Sequence, residues 1–388
     1  MADDVPVVTV TIEKIDFSAN VQSVDVEDQD RALDRAEVVF DDPDAKISQI
    51  AREQAVMQVS MGWNSENTLL FEGVVKAATP DAAGSTRQRV TVTAYDFGYL
   101  MRQGLKTSDG QRKPRSFYLD SGTWKDAILK IAGQYKDDGI MVDPKNIVLT
   151  PNPVLSKLKP ATKTEGQSDW DFLQKKARDF NARVFVELNN NKSQFYFVSE
   201  ASLLKGDPMG VLHFCVGGGG RELIEFKYER NGSGASPTGT ATVVDPQTGK
   251  PVTKTADPRP PEAPLTVDPQ ADKDLATAAD LMSKAAGKPA ESRPAPAATG
   301  AVSDLDKADA TVKADPTRIL GYSGHGTARG TVKLRAKGKV TINGIAPWAE
   351  GDWYVHQVNH IFTRINVIDA KKKKRDRSTY QSKLYVTR

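Results

Sequence analysis

At 388 residues the chain is too long for one ordinary core, and two or three packed units are expected. Its 39% hydrophobic and 27% charged residues are those of a soluble globular protein, while a net charge of +3 argues against a dedicated nucleic-acid binder. No apolar run approaches the roughly 20 residues that cross a bilayer, so membrane insertion is not expected. The single Cys215 excludes an intrachain disulfide. The start, Met1-Ala2-Asp3-Asp4-Val5, is acidic and lacks the basic and apolar regions of a secretory signal. Residence in a cytoplasm, or export by a route needing no signal peptide, follows as the expectation.

The chain opens with Val7, Val8, Val10, Ile12 and Ile15 after Pro6, a β-rich strand. Val21–Val26 and Ala36–Phe40 are two more strands, separated by the polar connector Glu27–Arg35 with charges of both signs. The stretch Ile47–Ala55 suits a short helix. Ala55–Met61, Thr68–Val75 and Gln88–Tyr95 complete about six short strands at the spacing of a small barrel or sandwich. Pro80-Asp81-Ala82-Ala83-Gly84-Ser85 is the turn before the last of them, and this unit is set to end near residue 104.

A mixed segment follows, over 105–205. Ser121-Gly122-Thr123-Trp124 opens a helix whose apolar face is Trp124, Ile128, Ile131, Ala132 and Tyr135. Residues 139–142 and 146–149 read as extended, and Pro151, Pro153 and Pro160 punctuate an irregular stretch. Ser168 stands where an N-cap belongs, with Asp171 as an approximate capping box. Trp170, Leu173, Ala177 and Phe180 recur at helical spacing beside Phe172. The period then changes to two through Val184, Val186 and Leu188, and a turn at 189–192 leads into Gln194–Val198, which makes a hairpin. Both tryptophans read as core.

Extended sequence returns over 211–216 and 223–229, around a four-glycine turn at 217–220. That run is followed by Arg221-Glu222 and lacks the Gly-Lys-Ser/Thr of a phosphate loop. Eleven of the 22 prolines lie between Pro237 and Pro296, and no aromatic residue occurs between Tyr228 and Tyr322. The stretch 231–316 reads as a partly disordered insertion, with one weak helix over Asp272–Lys288. Regular β sequence is expected again at Thr331–Ala336, Gly338–Gly344, Trp353–Phe362 and Tyr380–Val386. With 206–230, the span 317–388 forms a second β unit.

Candidate chemistry is sparse. His356 and His360 have the spacing of a zinc-binding helix, yet Gln357 stands where a Glu base is required and the surrounding residues favour a strand. On a strand the two lie about 14 Å apart. His213 and His325 have no local partner. Cys215 sits in an apolar run and reads as a buried, inert thiol. The acid pairs Asp41-Asp42 and Asp137-Asp138 adjoin turns or Pro, with no second carboxylate placed for glycoside hydrolysis. The basic run Lys371–Arg377 reads as a solvated hairpin tip. No catalytic residue, cofactor or metal is assigned.

Four segments resemble the baseplate hub of contractile phage tails, the late control protein D family, which is related to the hub part of type VI secretion spikes. They are Val21–Val26 with Ala36–Asp42; Leu70–Val75 with Val92–Asp96; the Gln167–Gln174 helix start with its hairpin; and Gly344-Ile345-Ala346 with Glu350–His360. In the last, Gly344, Gly351, Trp353, Val355 and His360 carry the likeness. In the third, Ser168, Trp170, Phe172, Leu173 and Phe180 do. The resemblance implies an α+β, mostly antiparallel β fold: two small barrel-like domains joined by a mixed helix–hairpin segment, with the insertion before the last barrel. It also implies a homotrimer that adapts a hexameric tail tube above to a three-fold spike below, with other baseplate proteins as further partners. Such a hub is assembled in a bacterial cytoplasm and has no turnover. A tail-borne cell-wall hydrolase and a carbohydrate- or cell-surface-binding β-sandwich adhesin are the readings from other classes.

Overall fold

The computed structural model describes residues 5–64, 66–81, 88–150, 152–214, 222–230, 240–244, 251–255, 322–368, 374–376 and 378–388. Its main elements are β1 (Pro6–Ile12), β2 (Val21–Gln29), β3 (Arg35–Asp41), α1 (Lys46–Ile50), β4 (Val56–Trp63), β5 (Glu66–Asp81), β6 (Arg89–Asp96) and α2 (Gly98–Gln103). Then come α3 (Trp124–Gly133), β7 (Met141–Val148), α4 (Asp169–Asp179), β8 (Ala182–Asn189) and β9 (Lys192–Ser199). The closing set is β10 (Val211–His213), β11 (Leu223–Arg230), β12 (Tyr322–Arg329), β13 (Gly338–Asn343), β14 (Gly351–Thr363) and β15 (Thr379–Thr387).

Alternation of apolar and polar residues sets the strands' faces. In β2, β3 and β6, Val24, Val26, Ala36, Val38, Phe40, Val90, Val92 and Ala94 point inward and are essentially inaccessible. These strands belong to one 13-stranded sheet in the order β11-β12-β15-β14-β2-β3-β6-β5-β4-β1, ending on the short strand Ile15–Asp16, with β13 and β10 branching from β14. The expected mostly antiparallel β class is present, but the sheet is open and closes into no barrel among the described residues. The seam lies between β2 and β14, which pair antiparallel with Val26 opposite His360 and Val24 opposite Phe362. Strands from both ends of the chain therefore share one hydrogen-bonded ladder, and Phe362 and Tyr380 pack in the same core as β1–β6. A second core gathers α2, α3, α4 and the β7-β9-β8 sheet around Trp170, Leu173, Phe195 and Phe197. A third gathers the closing strands around Tyr322, Trp353 and Tyr354.

Two readings of the sequence are corrected here. Thr331–Ala336 is a loop, turned by the Leu334 N–H donating to the Thr331 carbonyl (3.3 Å) and ended by Lys337 at φ 67°. Conversely, Tyr322–Arg329 is a strand that its glycines disguise. A Cβ on Gly324 or Gly326 would lie 2.7 Å or 2.9 Å from the Phe226 ring, so the ring occupies the space a side chain would need. Within the expected insertion, Thr240–Val244 pairs with Pro251–Thr255 as a hairpin. The weak helix over Asp272–Lys288, the glycine run, Cys215 and most of the basic run Lys371–Arg377 lie outside the described residues. Asn366–Ile368 pairs with Lys374–Asp376.

Gly330 locks the loop to the sheet. The Trp63 indole N–H donates to its carbonyl at 2.7 Å, and a Cβ there would sit 2.3 Å from Cγ of the buried Tyr380 ring. Gly330→Ala is expected to cost about 1–3 kcal/mol through this overpacking. Urea unfolding with an unchanged midpoint would show that the loop is not seated there.

Candidate functional site: an ionic joint between three cores

The period-two inward face of β2 does not stop at Val26. It continues through Asp28 and Asp30, so two carboxylates are carried into the interior. Asp34, just before β3, and Asp96, at the end of β6, are buried with them. From β8 comes Glu187, and from the loop ahead of β13 come Arg335 and Lys337. The Lys337 ammonium contacts Asp28 Oδ1 at 2.5 Å, both Asp34 oxygens at 3.0 Å and Glu187 Oε2 at 3.1 Å. Arg335 donates to Glu187 and to the Leu70 carbonyl (2.8 Å), with its Nε 3.4 Å from Asp28. The Ala336 N–H adds a bond to Asp28 at 3.1 Å. Asp28, Asp34 and Glu187 are close enough together to hold a metal ion, and the Lys337 ammonium is itself the cation among them.

Four carboxyls face two cations in a buried site, so burial and mutual repulsion raise the proton affinity of some of them. Burial, then the neighbouring Asp28 charge, pushes Asp34 well above the carboxylate range. Burial raises Asp96 to about 7, although its oxygens accept the Asp34 and Gly98 N–H groups, each at 2.6 Å. Burial also acts against Asp28, but Lys337 and Arg335 hold it down at about 2. The three acids hold Lys337 charged, well above its ordinary value despite burial. A lysine held in that state cannot serve as a base or nucleophile near neutrality.

A second cluster adjoins the first. Arg183 on β8 pairs with Asp30 (3.1 Å) and with Glu200, while the Tyr354 hydroxyl donates to Asp30 at 3.3 Å. His356 sits 3.5 Å from Asp30 and bonds Thr387 at 2.8 Å. His360 is fully buried, and burial together with nearby Arg335 lowers it to about 3. Its neutral ring donates from Nε2 to the Leu334 carbonyl (3.0 Å), which leaves Nδ1 to accept from Tyr380 (3.1 Å) or Ser382 (3.2 Å). The 331–337 loop thus has one carbonyl on His360 and two cations in the acid cluster.

Of the residues singled out in the sequence, Ser168 caps α4 by accepting the Asp171 N–H at 3.0 Å. Trp170, Phe172 and Leu173 are buried in the second core, and Phe180 packs on Trp124 at 5.4 Å. Trp170 reaches the joint through Gly98, where a Cβ would meet the indole and Asp96 Oδ1, each at 2.7 Å. Trp353 and Val355 lie in the third core, apart from that set. Gly344 (φ 79°) and Gly351 (φ 117°) take left-handed turns that a side chain would strain.

No protein-family model matches the sequence, and no curated protein matches it. The fold is more informative. The tail protein from Neisseria meningitidis MC58 aligns over 99% of this chain and 96% of its own at 10% identity, with a TM-score of 0.58. The 43 kDa tail protein of prophage MuSo2 from Shewanella oneidensis aligns over 98% and 97% at 11% identity, also at 0.58. The E. coli c3393 protein aligns over 97% and 76% at 10% identity, with a TM-score of 0.56. It is described as a component of the type VI secretion system with structural similarity to T4 bacteriophage tail proteins gp27 and gp5. The chain has the fold of phage tail proteins. Its neighbours are tail and secretion-spike components, in agreement with the hub resemblance of its sequence.

Within this tail-protein fold the joint residues were missed by reading 27–35 as a connector. The continuation of period two from Val24 and Val26 into Asp28 and Asp30 was the available signal. Lys337→Met should cost about 3–5 kcal/mol, because it leaves buried acids uncompensated. Adding Asp28→Asn alone, which leaves the Arg335–Glu187 pair in place, should recover part of that loss in urea titrations.

The two titrating groups of opposite sign supply a pH test. His360, folded at about 3 against an ordinary 6.5, contributes stability present above pH 6.5 and lost as pH falls toward 3. Asp96, folded at about 7 against 3.8, contributes stability present below pH 3.8 and lost as pH rises through 7. Each is worth up to about 1.4 kcal/mol per pH unit. Between pH 7 and 4 the cost of His360→Gln should therefore shrink, while that of Asp96→Asn should grow. Parallel trends for the two variants would refute the assignment.

Proposed function

We propose that this protein is the baseplate hub of a contractile tail or phage-like injection machine, a homotrimer joining a hexameric tail tube to a three-fold spike. The observation that carries the reading is the likeness of fold along nearly the whole chain to two phage tail proteins and a secretion-system component. In this reading residues 1–104 form one β domain, 105–205 the mixed segment, and 206–230 with 317–388 the second β domain, while 231–316 is an insertion. Each subunit then supplies two similar β units, so three subunits present a six-fold-like ring to the tube and three-fold symmetry to the spike. Edge strands and loops dock the neighbouring tail proteins.

Function here is binding and symmetry adaptation without turnover. The Ser168–Phe180 helix and its hairpin brace the two β units, and the Gly344–His360 segment forms the closing strand of the second. The protein is assembled in a bacterial cytoplasm and ends as a component of the tail or particle. A joint whose lysine is held charged by three acids and whose histidine is held neutral by burial supports a scaffold role.

Native mass measurement of the purified protein, alone and mixed with its tube and spike neighbours, tests the reading. A trimer in either condition is expected. A protein that remains monomeric in every mixture would overturn it.

A further inference from the structure

Helix α4 has an outer side that the packing of the cores does not use. Two depressions meet along it, one of about 430 Å³ toward Asn181 and one of about 540 Å³ toward Tyr95. Arg31 and Gln174 line both, and the Gln174 side-chain amide donates to the Arg31 carbonyl at 3.2 Å, which fixes the rim between them. The basic residues of this groove are all arginines: Arg31 from the connector after β2, Arg35 at the start of β3, Arg102 at the end of α2, and Arg178 on α4, above the buried Arg183. Arg183 is already committed to Asp30 and Glu200. Arg35 is shared by Glu27 (3.3 Å) and Glu37 (3.7 Å). Arg102 and Arg178 are exposed, and their guanidinium groups have no ion-pair partner among the described residues.

Guanidinium forks match carboxylates and phosphates in geometry, so the groove selects an anionic occupant. The spacing of its own charges decides which. Asp171 and Glu27 interrupt the row of arginines, and they would repel a phosphodiester chain that carries a charge at every nucleotide. No stacking platform is offered either: Tyr95 is half-buried against Tyr99 with ring centroids 5.5 Å apart, and Trp170 is 2% exposed. A polypeptide with carboxylates set apart by neutral residues meets neither obstacle.

We propose that this groove is the docking site for an acidic segment of a partner protein, whose separated carboxylates engage Arg102 and Arg178. The inference needs only the groove and its charges, and it stands or falls independently of the trimeric hub reading. It also locates on α4 and the connector a contact that edge-strand docking would not supply.

Fluorescence anisotropy with a fluorescein-labelled peptide of alternating Glu and Ser tests it, against a Lys–Ser peptide and a labelled oligothymidine. The full chain should bind the Glu–Ser peptide in preference to both controls, with affinity falling as salt is added. Arg102→Glu with Arg178→Glu should weaken that binding by at least about tenfold while leaving the thermal melt unchanged, since both side chains are exposed and unpaired. Arg102→Lys with Arg178→Lys should retain part of it. Absence of peptide binding, tighter binding of the oligothymidine, or equal binding by the Glu double variant would overturn the proposal. The last result would place the peptide elsewhere on the protein.

Discussion

One ammonium group organises this molecule. Lys337 reaches Asp28, Asp34 and Glu187 at once, and those acids come from strand β2, the connector before β3 and the β8–β9 hairpin. Among the described ion pairs Asp34 has this cation alone, while Asp28 and Glu187 share it with Arg335, and an uncompensated carboxylate in the interior costs several kcal/mol. The cation in turn fixes the 331–337 loop, whose sequence would otherwise suit a strand. A strand there would turn Arg335 and Lys337 to one face without the left-handed bend that carries the lysine inward. Charge compensation therefore overrides β-propensity at this point.

The same requirement explains how one sheet can carry strands from opposite ends of the chain. The β2–β14 seam alone is a ladder of backbone bonds, and its register places Val26 against His360. Register slips are suppressed because β2 brings Asp28 to Lys337 and Asp30 to Arg183 and Tyr354 in the same alignment. A shift by one residue would turn both acids to the other face and cost Lys337 and Arg183 one carboxylate partner each. Neutral His360, bonded on both ring nitrogens, completes the seam without adding charge to a site that already has an excess.

Helix α4 divides into a buried and an open side. Trp170, Phe172, Leu173 and Ala177 fill the second core, and Asp169 is held there by the Tyr135 hydroxyl (2.6 Å) and Lys163 (3.2 Å). The opposite side presents Asp171, Gln174 and Arg178 to the groove. Rigid placement of that side depends on the buried one, so the proposed contact surface is positioned by core residues.

The sequence by itself determined the local elements. Alternating Val24, Val26, Val38 and Phe40 mark strands, Thr123 and Ser168 with acids three residues on mark helix starts, and the order of short motifs carries the likeness to tail hubs. Periodicity and capping are local physics, readable without a partner in space. Only the tertiary structure decided that the opening and closing strands share one open sheet, that Gly324 and Gly326 belong to a strand under Phe226, and that Thr331–Ala336 does not. It also decided that Asp28, Asp34, Glu187, Arg335 and Lys337 meet. Those residues lie as many as 309 positions apart, and each looks like a solvated charge in its own neighbourhood. Burial with an opposite charge is a property of the assembled fold, so no window of sequence contains it.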